Sequence, residues 1–499
     1  SRHLGGIAPS GGPCVRVIVL VLGLVLSALF SACGSQLHPD DVRAVGQTGT
    51  GTAVSGAGAD VGGGTTTSVD GSSGGGGDVS TAGGSDGGTT STGGGTSSSG
   101  GGPSGGDDEA GDPTGGTKAG SCDGFENSTG ITDKEIIVAN SSDLSGPVPG
   151  LFESARLATA AYLAYFNSRS DVCGRKLTLL ELDSKTDSAG DQAAYTRACA
   201  ESFAAVGSVS IYDAGGARTT QECGLPDLRA NILTEGRADC TTCFAAQALE
   251  PGVITDAAYQ FYTKQNKAAT QSAAFLYLDL GGSPDLARSF SETAESVGFQ
   301  VKILKGIGTA EFNYAPFVQE MKDKDIRFVS FTGATIQAVR LADAMAQQNF
   351  EPDQFVVTQT QYGPEFHEQG GANVDGAMAP VPHPAFNSGN PEITQYVQWL
   401  QRVKPGASPS TFGLFAWSAA RLFAERAVAL GGKLSRETLL AEIRKVGSWT
   451  AGGMHAEMNV GGKKSFPCQT VVQLQQGEWQ QISGKGYTCG NLVRTSVAR

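Results

Sequence analysis

The sequence predicts an α/β protein built from two doubly wound parallel-sheet lobes joined by multiple crossovers, preceded by a signal peptide and a disordered linker. Three observations lead there. From about residue 130, apolar runs of strand length alternate with stretches of helical spacing. The alternation starts afresh near residue 273, after a Pro-Gly break. Between residues 45 and 120 the chain is almost entirely Gly, Ser, Thr, Asp and Ala, so that part cannot bury a core.

The export signal comes first in the chain. In "VRVIVLVLGLVLSALFSAC", Arg16 precedes an apolar stretch from Val17 to Phe30, and the small residues Ser31 and Ala32 lead to Cys33. The run is short for a membrane span and its small-residue exit suits a cleavage site, which makes residues 1–32 the signal peptide and its upstream residues. Phe30-Ser31-Ala32-Cys33 also resembles a bacterial lipobox, with Phe30 where Leu is usual. The resemblance implies that Cys33 is lipidated and holds the protein on the outer face of the cell membrane; an ordinary secretory cleavage suits the same residues. Residues 33–120 then read as a tether, with an end-to-end distance of about 50 Å for a flexible coil of this composition.

Eight of the ten cysteines fall after the tether, and an even number in an exported chain favours disulfides. Eight cysteines allow about 105 connectivities. Proximity suggests Cys199 with Cys223, Cys240 with Cys243, and Cys468 with Cys489, leaving Cys122 with Cys173. "CTTC" at 240–243 is also compatible with a redox or zinc pair, although there is no second CxxC and no histidine nearby.

The first lobe opens with "EIIVAN", followed by a helix in which Ala155, Ala158, Tyr162 and Phe166 fall on one face, and by the strand "RKLTLLELD". A second helix is expected over 191–205, leading into "GSVSIYDAGG", and a weaker one before "ANILTEG". The second lobe repeats the plan with strands at 273–280, 299–308, 326–333 and 354–360. Helices are expected between them at 285–297, 314–324 and 335–348. "LEPGVITDAAYQFYTK" and the proline-rich "GAMAPVPHPAFNSG" are where the chain crosses between lobes. Helices at 392–403, 412–430 and 436–446 follow, with Phe415 and Trp417 on a core stripe, and "CQTVVQLQQGEWQQI" closes the body as a strand pair turning at Gly477. This assigns 121–252 with 384–446 to lobe 1, and 253–383 with 447–495 to lobe 2.

Ligands of open α/β sheets bind where strands end and helix N-termini present free amides. "IIVANSSDLSGPVPG" ends its strand in such a loop, placing Asp143, Ser145 and the backbone of Gly146 at the cleft. Taken with "CGRKLTLLELDSKTD", "AAYTRACAESFAAVGSVSIYDAGG", "FLYLDLGGSPDLARSFSETAESVGFQV", "FNYAPFVQEMKDKDIRFVSFTG" and "YVQWLQRV", it resembles the type 1 periplasmic binding proteins. The likeness is to their branched-chain amino acid branch, over roughly residues 130–490. The resemblance implies a ligand carboxylate held by first-lobe loops, here Asp143 and Ser145, then Tyr212, Asp213, Ala214 and Gly215, then Thr234, Glu235 and Gly236. Second-lobe groups close over it: Leu280 and Gly281, Thr332 and Gly333, Gln361 and Tyr362. It also implies the Cys199–Cys223 bridge and an ATP-driven membrane permease as partner.

Two departures separate this sequence from the leucine binders. "YDAGG" replaces a hydroxyl-rich loop, and no acidic residue stands near "TQTQY" to hold an ammonium, which leaves Asp213 or Glu235 for a cation. Each candidate also has a plain structural role: Asp143 and Asp213 as helix caps, Tyr212 and Tyr362 as packing residues, Glu235 as a solvated carboxylate.

The expectation is a monomeric solute-binding lipoprotein of an importer, taking a small polar solute of amino-acid or amide type, or else a ligand-sensing or cell-envelope interaction lipoprotein using the same fold without transport. An enzyme is not expected, since the body after residue 120 has no GxSxG elbow, and there is no GxxxxGK[ST] and no HExxH. With His367, His383 and His455 scattered over the body, no metal or cofactor is expected. A formal net charge of -13 argues against nucleic acid as a partner.

Overall fold

The computed structural model describes residues 112–498; the signal peptide, Cys33 and the tether as far as residue 111 lie outside them. The first sheet contains β1 (Glu135–Ser142), β2 (Lys176–Asp183), β3 (Ala204–Val206), β4 (Asp227–Asn231) and β5 (Cys243–Gln247), in the order β2-β1-β3-β4-β5. All neighbours are parallel, and β1 pairs with β2 from Glu135↔Lys176 to Ser142↔Asp183. Helices Glu153–Arg169 and Ser188–Glu201 make the first two crossovers.

Two strands of this sheet differ from the sequence reading. The helix expected over 191–205 ends at Glu201, because Ser202 adopts an extended backbone, with φ -120° and ψ 156°. After Phe203, "AAV" forms the central strand β3 instead of continuing the helix. β3, like the unforeseen β5, is buried along its whole length. A strand buried along its whole length has no polar-apolar alternation, so its short apolar run reads like part of a helix.

The chain returns to this lobe with helices Pro391–Val403, Thr411–Leu430 and Arg436–Ile443. Each starts on a side-chain cap: Asn390, Ser410 and Ser435 accept from the first-turn amides. Thr411–Leu430 is buried through most of its length, and Trp417 stacks on Tyr165 at 5.6 Å and meets Tyr162 edge-on at 5.0 Å. The segment from Asp112 to Gly120, which composition assigns to the tether, is docked here. The buried Tyr162 hydroxyl donates to the Pro113 carbonyl, Thr114 is 6% exposed, and the Gly120 amide donates to Val428. Composition cannot register that a buried phenol elsewhere needs an acceptor.

The second lobe is a mixed sheet: β7 (Ala273–Leu278), β8 (Val301–Ile307), β9 (Phe328–Thr332), β10 (Gln354–Val356), β11 (Met378–Val381), β12 (Cys468–Gln475) and β13 (Glu478–Gln481). Their order is β13-β12-β11-β10-β9-β7-β8, with β14 (Thr488–Cys489) also on β12. β8, β7, β9, β10 and β11 are parallel, while β12 runs antiparallel to both its neighbours. β6 (Val253–Thr255) and β15 (Leu492–Arg494) form a separate antiparallel pair. β10 stops well short of residue 360 because the Gln361 carboxamide turns the chain back, accepting from the Thr358 amide at 3.1 Å.

Helices Ala257–Gln265 and Ser283–Ser296 cover one face of this sheet over an aromatic cluster of Tyr259, Tyr262, Phe275, Phe299 and Phe328. Cys122–Cys173, Cys199–Cys223, Cys240–Cys243 and Cys468–Cys489 are all disulfides: the three pairs that proximity suggests and the one they leave. Among the described residues, no helix is long and apolar enough to cross a membrane.

Candidate functional site: a cavity between two lobes

A cavity of about 680 Å³ lies where the carboxyl ends of both sheets face each other. Lobe 1 supplies Ile211, Tyr212 and Ala214 from the loop after β3, and Asn231, Thr234 and Glu235 at the end of β4. Lobe 2 supplies Leu280, Gly281 and Ser283 after β7, Thr332 and Gly333 after β9, and Thr358 to Thr360 after β10.

Two contacts set the distance between these walls. Gln247 and Gln359 exchange reciprocal amide hydrogen bonds of 2.9 and 3.1 Å, one from each lobe. Gly281 has a left-handed backbone, φ +52°, and a Cβ there would come within 2.7 Å of the Ile211 carbonyl oxygen, so only glycine lets the lobes meet at that point.

The first-lobe loops are held from behind by buried charges. Arg237 donates to Asp191 at 2.8 Å, to Asp227 at 3.0 Å and to the Asp213 carbonyl at 2.7 Å, with its guanidinium 4.1 Å above the Tyr195 ring. Arg229 donates to the Asn231 carbonyl at 3.1 Å and to the Tyr195 hydroxyl. Both arginines and Asp191, Asp213 and Asp227 are 0% exposed. Burial pushes the Asp191 carboxyl up to about 6, against the pull of Arg237 and Arg229. The network fixes the backbone that carries Tyr212, Thr234 and Glu235, so that part of the wall is preorganised.

The sequence candidates divide accordingly. Tyr212, Ala214, Thr234, Glu235, Gly281 and Thr332 stand together on the cavity wall, with Leu280 and Gly333. Asp143, Ser145, Asp213, Gly215, Gln361 and Tyr362 do not line it, nor does Gly236.

Asp143 is 0% exposed and ties three loops together, accepting from Ser184 Oγ at 2.5 Å, the Ile211 amide at 2.8 Å and the Thr186 amide at 3.2 Å; burial pushes its carboxyl up against these bonds. Ser145 Oγ donates to Asp183, and Gly215 packs on the Ser188 carbonyl. Asp213 accepts from the Leu233 amide at 2.9 Å and from the Thr234 hydroxyl. Neither Asp143 nor Asp213 caps the helix that follows it, since the N-caps there are Phe152 and Gly216. Gln361 donates to the Gly333 carbonyl at 2.9 Å. Tyr362 stacks on Phe386 at 4.8 Å and accepts from its amide at 2.9 Å.

Sequence reasoning missed part of the wall. Gln247 closes the unforeseen β5, and Gln359 sits in a stretch read as strand. Asn231, 1% exposed, ends β4 with its Oδ1 atom unpartnered. "DLRAN" did carry a signal, since charged residues alternating inside a short strand between helices must meet partners in the interior. Deeper in, Tyr259, Tyr262, Leu286, Phe290 and Val356 extend the wall into lobe 2. Among the described residues, no group of His, Cys, Asp and Glu is arranged to hold a metal.

Two open α/β lobes with a cavity at their facing strand ends define a two-lobed solute-binding fold. The chain belongs to the periplasmic binding protein family, whose sequence model matches residues 135–478. Solved structures agree on the fold. A fatty acid ABC transporter substrate-binding protein from Thermomonospora curvata superposes with a TM-score of 0.61, 16% identity and coverage of 75% of this chain and 96% of that one. A leucine binding protein from Thermotoga maritima gives 0.60 at 16% identity, covering 71% and 99%. A solute binding protein from R. palustris in complex with 4-hydroxybenzoate gives 0.59 at 18% identity, covering 72% and 98%. No curated protein matches the sequence significantly.

Proposed function

We propose that this protein is the extracytoplasmic solute receptor of an ABC importer, anchored through Cys33, and that its solute is amino-acid or amide-like with a neutral or amine-bearing head. The observation that carries the head-group reading is the charge of the cavity wall. It includes Glu235, Asp285, Glu250 and the unpartnered acceptor Asn231 Oδ1, but no Lys, Arg or His. Glu250 is already neutralised by Lys464 at 2.9 Å and Arg494 at 2.6 Å. Such a wall favours an N–H donor and leaves a carboxylate to backbone amides and neutral hydroxyl or amide side chains, with no cation to pair it. The solute bridges both lobes, stabilises the closed form by its differential affinity for it, and presents that form to the permease, the partner that family membership implies.

Binding is read by unfolding of the full chain in the presence of amino acids, their amides, alkylamines and matched carboxylates. A solute at 100 times its Kd adds about 2.7 kcal/mol. Dose-dependent stabilisation by amines or amides is expected, weakened by Glu235→Gln. Stabilisation by carboxylates alone would sink the head-group reading, and a complete absence of response would sink the receptor itself. For the anchor, Cys33→Ala is expected to move the protein from the membrane fraction to the medium; unchanged fractionation would remove the lipid.

A further inference from the structure

The cavity does not stop at the cleft. From Thr332 at the end of β9 its wall continues to Ser330, about 7 Å back along the strand at 3.3 Å per residue, on the sheet face covered by helices Ala257–Gln265 and Ser283–Ser296. The covering helices supply Ala258, Tyr259, Tyr262, Leu286, Ser289 and Phe290, and the sheet supplies Val356. This arm therefore enters the aromatic core of lobe 2, where Tyr262 packs on Phe328 at 5.8 Å.

Tyr262 is 0% exposed and its hydroxyl has no hydrogen-bond partner. A buried phenol without a partner costs on the order of 1–3 kcal/mol, and a wall residue is where a ligand atom could supply that partner. The small side chains of Ala258, Ser289 and Ser330 line this stretch between larger neighbours. A receptor that needed only to enclose a short polar solute would gain packing by filling this space.

We propose that the solute carries an apolar alkyl or aryl tail that enters lobe 2 along this arm, and that Tyr262 hydrogen-bonds a polar atom at the tail's far end. The inference rests on the receptor reading above and adds the tail to it. Polar groups at the cleft recognise the head, and the arm sets tail length.

The test measures Kd for the full chain with n-alkylamines from propyl to octyl and their ω-hydroxy counterparts. The proposal expects affinity to rise about fourfold per methylene, the transfer value for a buried CH₂, until the arm is filled. Ser330→Leu should abolish that gain for long tails while leaving propylamine unchanged. Tyr262→Phe should lower affinity for the best ω-hydroxyamine about tenfold and spare the plain amine of equal length. Binding of short amines with no dependence on tail length would overturn the inference and leave the receptor standing. So would an Ser330→Leu variant that keeps the full length dependence. If that variant does not fold, the Tyr262→Phe comparison decides alone, and equal affinities for the hydroxylated tail in wild type and variant would count against the proposal. Failure of every amine to bind would remove the amine-bearing head and the tail with it, while the receptor itself is decided by the wider solute series above.

Discussion

The two lobes share a sheet plan but fill the space beneath it differently. Behind the cavity wall, lobe 1 places two arginines and three aspartates, all 0% exposed and joined by hydrogen bonds. Lobe 2 places an aromatic cluster in which Tyr259 meets Phe299 edge-on at 5.7 Å and Phe299 meets Phe328 edge-on at 5.0 Å. Three of the four disulfides join segments assigned to lobe 1, and Cys468–Cys489 lies in lobe 2. Directional bonds fix loops in one arrangement, whereas aromatic packing tolerates a neighbouring void. The comparison teaches that one lobe is built to hold head-group contacts still and the other to accommodate volume.

The largest expected effect breaks the first half of that comparison. Arg237→Met takes the guanidinium from buried Asp191 and one of two from Asp227, which keeps Arg229 at 3.5 Å, and breaking a buried pair from one side costs about 3–5 kcal/mol. A value near the upper end, about 5 kcal/mol, is expected in denaturant unfolding because two carboxylates lose a partner. Adding Asp191→Asn and Asp227→Asn should recover part of it. Wild-type stability in the single variant would mean that the charges do not hold the lobe.

A smaller effect tests the junction, where the chain leaves β11. His383 is fully buried; its Nδ1 donates to the Pro384 carbonyl at 2.7 Å, and its Nε2 accepts from the Thr411 hydroxyl at 2.9 Å, which is the neutral ring. Burial pulls its pKa down from 6.5 to about 4. Between those values the unfolded chain binds a proton that the folded one refuses. This contribution is therefore complete above about pH 6.5 and is lost as pH falls through about 4, by about 3 kcal/mol. His455, held down to about 3 by burial, acts in the same sense, and Asp191 acts in the opposite sense. The difference in acid sensitivity between wild type and His383→Gln isolates the junction; parallel pH profiles would exclude His383 as its source.

How far these features were legible in the sequence follows from what each depends on. The fold was, because strand runs and helical spacings are local, and the caps Asn390, Ser410 and Ser435 stand in the sequence where helices begin. The strands β3 and β5 were not, because strands buried along their whole length carry no alternation. At the site, loop ends could be read but side-chain direction could not. Asp143 and Asp213 belong to the right loops, yet each carboxylate is occupied by amides and hydroxyls from segments tens of residues away. The arm was invisible for a related reason. Tyr259 and Tyr262 look like helix core, which they are, and only the course of the cavity wall and the absence of a partner for one hydroxyl mark them out.

The smallest expected effect separates the lobes most cleanly. Removing Arg237 from lobe 1 should cost stability, whereas Tyr262→Phe in lobe 2 removes a hydroxyl that has no partner to lose. Deleting an unsatisfied buried group relieves its desolvation, so the variant should be more stable than wild type by about 1 kcal/mol while the ring keeps its place against Phe328. Unfolding without added solute reads this directly. A loss of 1 kcal/mol or more would mean that the hydroxyl has a partner in solution, such as a resident water, and that the lobes treat buried polar groups alike. A gain in stability combined with weaker binding of a hydroxylated tail is the signature of a group kept for the ligand at the expense of the fold.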